Sequence, residues 1–339
     1  MSNPREQLIK AIAIHAAVHL ALFAIASWVI LSIFLGQNSI GVLISASTAT
    51  LVALVLEWLM GSTLVSSLFK PRWVDREDDV VLWSLVQGEA ERAGVRVGRV
   101  GVLDVEAPNA LTYAQPTGRP TVLLTKGLLV DLTYPEVRAV VAYLLGCSES
   151  GALGVATSLS GLLALSNRVA VGYIESRLEG RSSGLINVIR AGWGYLIFVL
   201  IYLQASLACG VMSEHGDEFG LRQTGDTSVY LRALIKVAAG LASKPSDPLR
   251  RDFISLKGLM FLDPTSALEG APILVDEAKR LGFDLERLLG YEPAGFPTEE
   301  ELELHNFERF TVQLSLVERL ERAAEFGRGV RSPEQMARK

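Results

Sequence analysis

The sequence is poor in the groups that most hydrolytic and metal-dependent sites are built from. It holds two cysteines, Cys147 and Cys209, and four histidines in 339 residues. Two thiols are too few for a disulfide framework and fit a reducing compartment. Basic residues are not in excess. With 32 Lys and Arg against 37 Asp and Glu the net charge is −5, so no basic footprint argues for nucleic acid. No Ser/His/Asp set, phosphate-binding loop or cysteine cluster appears. A cleavable signal is not expected, because the first apolar run is too long for a signal core and lacks a clear small-residue cleavage site.

What the chain has instead is apolar length. Half its residues are hydrophobic and its mean hydropathy is +0.32, high for a soluble enzyme and expected for a partly membrane-embedded one. Residues 11–35 are apolar throughout except for His15, His19 and a few hydroxyls, and residues 40–69 form a second run broken only by Glu57. At about 1.5 Å per residue, either run crosses a hydrocarbon core of about 30 Å. Residues 36–39 make a short uncharged turn, so the two runs read as a membrane hairpin occupying residues 1–72 with its flanks. Arg5 and Lys10 precede the hairpin and Lys70, Arg72 and Arg76 follow it, which places both termini and the next domain in the cytoplasm. His15 and His19 share one helix face, and an antiparallel hairpin sets Glu57 beside them. The three form a membrane polar cluster, read as an interhelical hydrogen bond or as a proton- or metal-responsive site.

Residues 73–290 read as one folded domain. Asp78 to Arg92 is an amphipathic helix with Val81, Leu82, Leu85 and Val86 toward a core, Glu89 and Arg92 toward water, and Gly94 at its end. Val95 to Val105 alternates like a strand, and Thr121 to Thr125 is a further strand after the turn at Gln115 to Pro120. Thr133 and Glu136 have capping-box spacing around Pro135, so a helix covers 134–150 with Val137, Val140, Val141 and Leu144 on its apolar face. An apolar helix pair follows at 152–174 and 191–212, the second member being the better membrane candidate. Residues 291–339 read as a C-terminal amphipathic helix and tail. That helix starts at a capping box on Thr298 and Glu301, carries Leu302, Phe307, Phe310, Leu314, Val317 and Leu320 as a stripe, and ends at Gly327 and Gly329. His305 within it reads as a solvated surface histidine.

Several elements occur in an order that carries a resemblance. They are Pro108-Asn-Ala110, then Thr125-Lys-Gly-Leu-Leu129, then the helix beginning at Pro135, then Gly216-Asp217 followed by Thr224-Gly225, and then Met260-Phe-Leu-Asp263-Pro264. In this order and spacing the chain resembles the HtpX-like and CAAX-prenyl-protease-type membrane zinc metallopeptidases. The likeness covers residues from about 75 to 270 with the hairpin before them. In that family the central helix carries His-Glu-x-x-His, two ligands one turn apart with the base between them. The same five positions here are Tyr143, Leu144, Leu145, Gly146 and Cys147, and the position of the third ligand, a Glu on a later helix, falls on Ser213.

The resemblance implies an α+β, mostly helical fold: a zincin-like domain with a small sheet, held by the transmembrane hairpin and further apolar helices. It also implies zinc, which needs three protein ligands and an open position for water. A phenol, a thiol and a hydroxyl at the ligand positions, with Leu144 for the base, leave no cofactor and no catalytic residue. Tyr143 reads as a ring filling the space of metal and imidazole, and Cys147 as a small buried hydrophobe. A rebuilt site from Cys147, Cys209 and His215 is the alternative, although His215 points to a different helix face from Ser213. The resemblance further implies that the strand over Asn109, Ala110, Leu111, Thr112 and Tyr113 lies at a sheet edge where peptide adds as a strand, and such pairing does not need zinc. The leading expectation is therefore a multi-pass cell-membrane pseudopeptidase that binds polypeptide or protein partners, alone or as a homo- or hetero-oligomer. The alternatives are an active metalloendopeptidase with an atypical site and a structural subunit of a membrane complex.

Overall fold

A computed structural model describes residues 39–178, 185–244, 254–290 and 313–335, with scattered positions between 9 and 28. His15, His19, His305, the helix start at Thr298 and much of the first apolar run lie outside the described residues. The rest is mostly helical around one small sheet, as the α+β reading expected.

Helix α1 (Ser39–Ser67) is the second apolar run. Its side chains Leu51, Val52, Val55, Leu56, Leu59 and Met60 are exposed, a surface that water does not stabilise and lipid does. Within it, Gly41–Ser67 is long and apolar enough to cross a membrane by length and composition, and so is Phe198–Thr224 further along. Helices 134–149 and 153–166 pass the same test only together, and they meet at a bend of 95°.

Four strands follow α1: β1 (Arg72–Trp73), β2 (Arg99–Leu103), β3 (Ala110–Ala114) and β4 (Pro120–Thr125). Their order is β1-β2-β4-β3, with β2 and β4 parallel and the other pairs antiparallel. The expected alternation from Val95 to Val105 is not what forms. Only Arg99–Leu103 is strand, and after Arg99 every residue in it is buried. The sheet is covered on both faces, so its strands read as apolar runs rather than alternating ones.

Helix α2 (Val80–Ala93) begins on Asp79, whose carboxylate accepts from the Leu82 amide at 2.9 Å, and stops at Gly94 with φ 66°. Leu82, Leu85 and Val86 are buried as expected, but Val81 and Glu89 are reversed. Val81 is 68% exposed while Glu89 is only 2% exposed. Glu89 can be buried because Arg138 pairs with it, Arg92 approaches to 3.0 Å and Gln223 Nε2 donates at 2.7 Å.

A short helix α3 (Lys126–Asp131) leads into α4 (Tyr134–Glu149), the helix on which the rest packs. Glu136 accepts from the Thr133 amide at 2.8 Å, as the capping box required. The same buried carboxylate binds Lys236 Nζ at 2.9 Å and so ties α4 to a later helix. After α4 come α5 (Leu153–Leu178), α6 (Leu185–Thr224) and α7 (Thr227–Ala242). A 3-10 turn (Ile254–Leu259), α8 (Pro264–Arg280), α9 (Leu285–Leu289) and α10 (Leu316–Gln335) complete the described chain.

Two features of the C-terminal helix differ from expectation. Leu314 precedes it, and the core stripe is Leu316, Leu320 and Ala323. Gly327 and Gly329 lie inside α10 and do not end it. Gly327 is there for close approach: a Cβ on it would stand 2.9 Å from Thr227 Oγ1 on α7.

Candidate functional site

Tyr143 and Cys147 stand one turn apart on the same face of α4, and that face packs on α6. Both are fully buried, as are Leu144 and Ser213. The two helices meet closely because three positions lack a Cβ. One on Gly216 would lie 2.8 Å from Cys147 Sγ and 2.9 Å from Tyr143 Cε2, one on Gly146 would lie 2.6 Å from Phe219 Cβ, and one on Gly220 would lie 3.3 Å from Tyr143 Cα and 2.8 Å from Tyr230 Cε2 of α7. Cys147 directs its thiol to the Met212 carbonyl at 3.7 Å, and Ser213 donates back to Gly210 of its own helix at 3.1 Å. The Tyr143 hydroxyl is buried without a hydrogen-bond partner among the described residues.

What fills the centre comes from the C-terminal helix. Arg319 of α10 has a fully buried side chain. Its Nε is 2.9 Å from Asp217 Oδ2, its Nη2 is 2.6 Å from Asp217 Oδ1, and its Nη1 donates to the Phe261 carbonyl at 2.5 Å. The guanidinium carbon lies 4.8 Å from the centre of the Tyr143 ring and 5.2 Å from that of Phe261. Those two rings meet edge to face at 5.0 Å, and Tyr230 stands edge-on to Phe261 at 6.2 Å. Tyr230 donates its hydroxyl to Asp217 Oδ1 at 2.6 Å. The result is a cation against two ring faces, neutralised by the Asp217 carboxylate one turn past Ser213.

The electrostatics follow from that enclosure. Burial, and then the Asp217 charge, push the Tyr230 phenol well above its ordinary value, so it stays a donor. Burial works against the charge of Arg319, and the Asp217 carboxylate is the main influence that holds the guanidinium ionised. Taking such a group out of water costs several kcal/mol, and a two-point carboxylate pair, a carbonyl and two ring faces are what offset that cost.

These residues do not fit a zinc ion. The groups facing one another are a phenol, a neutral thiol donor, a hydroxyl turned onto its own helix, and a fixed positive charge. Among the described residues no group of three or more His, Cys, Asp or Glu side chains is placed to hold a metal. His215 does not join Cys147. It pairs with Glu149, and its ring tilts toward Phe219 at 6.4 Å. Cys209 is buried one turn before Ser213.

Of the residues Asn109–Tyr113, Ala110 to Tyr113 lie on the terminal strand of the sheet, and the edge of that strand is covered. The Phe261 amide donates to the Ala110 carbonyl at 2.7 Å, Leu111 bridges Met260, and Asn109 Nδ2 donates to the Leu262 carbonyl at 2.8 Å. Thr157 Oγ1 accepts from the Ala114 amide at 2.9 Å. Tyr113, at 4%, is the most exposed of the five. An incoming strand has to displace Met260–Leu262 to pair there. Glu57 is half-buried on α1, and its expected partners His15 and His19 are outside the described residues.

Sequence reasoning missed Arg319. Its signal was in the pattern: Leu316, Leu320 and Ala323 are buried at positions −3, +1 and +4 from it, which puts a cation on the core stripe of its helix.

Comparison with known proteins gives a consistent set of relatives. The chain is similar to the protease HtpX homolog of Aeropyrum pernix, 28% identical over 135 residues, covering 38% of this chain and 40% of that one. It is 25% identical over 247 residues to the protease HtpX homolog of Pyrococcus abyssi, covering 69% and 81%. It is 24% identical over 225 residues to that of Aquifex aeolicus, covering 62% and 74%. The match thus spans about two-fifths of the Aeropyrum pernix relative and most of the other two. No family model and no solved structure matches.

Proposed function

The chain belongs to the HtpX-like protease family, and on that footing we propose that it is a membrane pseudopeptidase, a scaffold of the family that binds polypeptide and does not hydrolyse it. The single observation that supports this is the Arg319 guanidinium, clasped by Asp217 against the Tyr143 ring. A guanidinium built into the chain lies against the ring at the first ligand position, and its partner carboxylate is already engaged, so neither group is free to hold a dication. Leu144 at the base position adds that no carboxylate is there to take a proton from water. Peptidase assay of the purified full chain, with and without added zinc, tests the reading. Absence of cleavage agrees with it, and chelator-sensitive cleavage refutes it.

The finer architecture goes with the proposal. The domain of residues 73–290 is assigned a zincin-like arrangement. It stands on the cytoplasmic side, with the hairpin of residues 1–72 as anchor and residues 291–339 as a C-terminal amphipathic helix and tail. Polypeptide reaches the Asn109–Tyr113 strand by exchange with Met260–Leu262. A cysteine placed at Gln37 is then labelled from outside the cell, whereas protection of that site contradicts the orientation.

A further inference from the structure

Where α1 leaves its apolar stretch, the domain and the helix enclose a cleft of about 700 Å³. The Trp58 indole donates to the Pro116 carbonyl at 3.3 Å and so holds the β3–β4 turn against the helix. Below that contact the helix surface changes. The exposed apolar side chains run to Met60, and then Ser62, Thr63 and Ser66 line the cleft. This hydroxyl-bearing turn lies at the C-terminal end of Gly41–Ser67, the stretch long and apolar enough to cross a membrane.

The opposite wall is cationic. Lys70 and Arg99 both line the cleft, no Asp or Glu does, and neither cation forms an ion pair with the described residues. Arg99 is pre-positioned, its guanidinium carbon 3.7 Å from the centre of the Trp73 ring. Stacking engages the face of the guanidinium and leaves its N–H edge for an anion. Two cations with no ion pair among the described residues, three hydroxyls and an aromatic wall, continuous with an exposed apolar helix face, match the headgroup of one kind of molecule.

The geometry points to a binding site for an anionic phospholipid, its phosphate between Lys70 and Arg99 and its acyl chains along the exposed face of α1. The site is independent of the degenerate centre and of whether the protein hydrolyses peptide. It would let the protein sense anionic lipid at the junction between anchor and domain.

The test uses full-length protein in neutral detergent, with mixed micelles of phosphatidylglycerol or phosphatidylcholine, and bound lipid counted by native mass spectrometry. About one phosphatidylglycerol per chain is expected in preference to phosphatidylcholine. Lys70→Gln with Arg99→Gln should weaken phosphatidylglycerol retention about 30-fold, each cation near the surface contributing about fivefold. The charge-matched pair Arg72→Gln with Arg76→Gln, outside the cleft lining, should leave it unchanged. Equal retention of the two lipids overturns the proposal, and so does equal loss in both variant pairs, which would mean diffuse surface charge. Displacement of the lipid by millimolar inorganic phosphate alone also overturns it, because the site would then be one for free anions.

Discussion

Arg319 and Asp217 form a two-point ion pair inside the core, Nε to Oδ2 at 2.9 Å and Nη2 to Oδ1 at 2.6 Å. The pair joins a helix from the end of the chain to the helix that would carry the third metal ligand. Neither residue can be buried alone at reasonable cost, so the C-terminal helix and the centre beneath the sheet are mutually dependent.

Removing one partner should therefore be severe. Arg319→Met leaves Asp217 as an uncompensated buried charge and is expected to cost about 3–5 kcal/mol of stability. Arg319→Lys should recover only part, since an ammonium cannot span both carboxylate oxygens and the Phe261 carbonyl. Adding Asp217→Asn to Arg319→Met should cost less than the sum of the two single changes. Denaturant unfolding of the detergent-solubilised chain measures this, and a change within about 0.5 kcal/mol for Arg319→Met would contradict the arrangement.

Tyr230 predicts an alkaline signature. Burial and Asp217 raise its phenol well above the ordinary value. A group raised in this way supports the folded state fully below its unfolded value of about 10, and the support is lost as pH rises from there toward the folded value. Stability measured between pH 8 and pH 11 should fall more steeply above pH 10 in the parent than in Tyr230→Phe. At pH 8 the variant should be less stable by about 1–3 kcal/mol, because Asp217 loses its hydroxyl donor. Parallel curves above pH 10 would remove Tyr230 from this network.

Gly216 is the gauge of how tightly α4 and α6 meet. A methyl there would lie 2.8 Å from Cys147 Sγ, so Gly216→Ala should force the helices apart at about 1–3 kcal/mol. Cys147 and Cys209 are buried in the parent and should resist thiol reagents under native conditions. Faster modification in Gly216→Ala is the expected reading, and an unchanged rate with unchanged stability would contradict the packing.

The sequence announced the scaffold better than its contents. The capping box at Thr133 and Glu136, the apolar run of α1 and the Asp217 to Gly225 segment each depend on neighbours close in the chain, and such patterns are readable. Glu89, expected toward water, and Arg319, for which the sequence suggested no role, are the opposite case. Their partners Arg138 with Gln223, and Asp217, are 49, 134 and 102 positions away. Only the fold brings those charges together. The covered edge of β3 was hidden in the same way, because Met260–Leu262 reaches it from 150 residues downstream.

Restoring the family's chemistry should need five changes. Tyr143→His, Leu144→Glu, Cys147→His and Ser213→Glu supply ligands and base but leave the Arg319 cation in place. Those four alone should bind no stoichiometric zinc, and the addition of Arg319→Met should allow it. Zinc retention by the fourfold variant would show that Arg319 is compatible with the metal.

Elemental analysis of the unmodified, full-length protein is the most direct measurement. With a tethered guanidinium and no ligand set among the described residues, the purified chain should carry no stoichiometric zinc, before or after incubation with the metal. About one zinc per chain, removed by a chelator together with peptidase activity, would contradict the account and identify an enzyme with an atypical site.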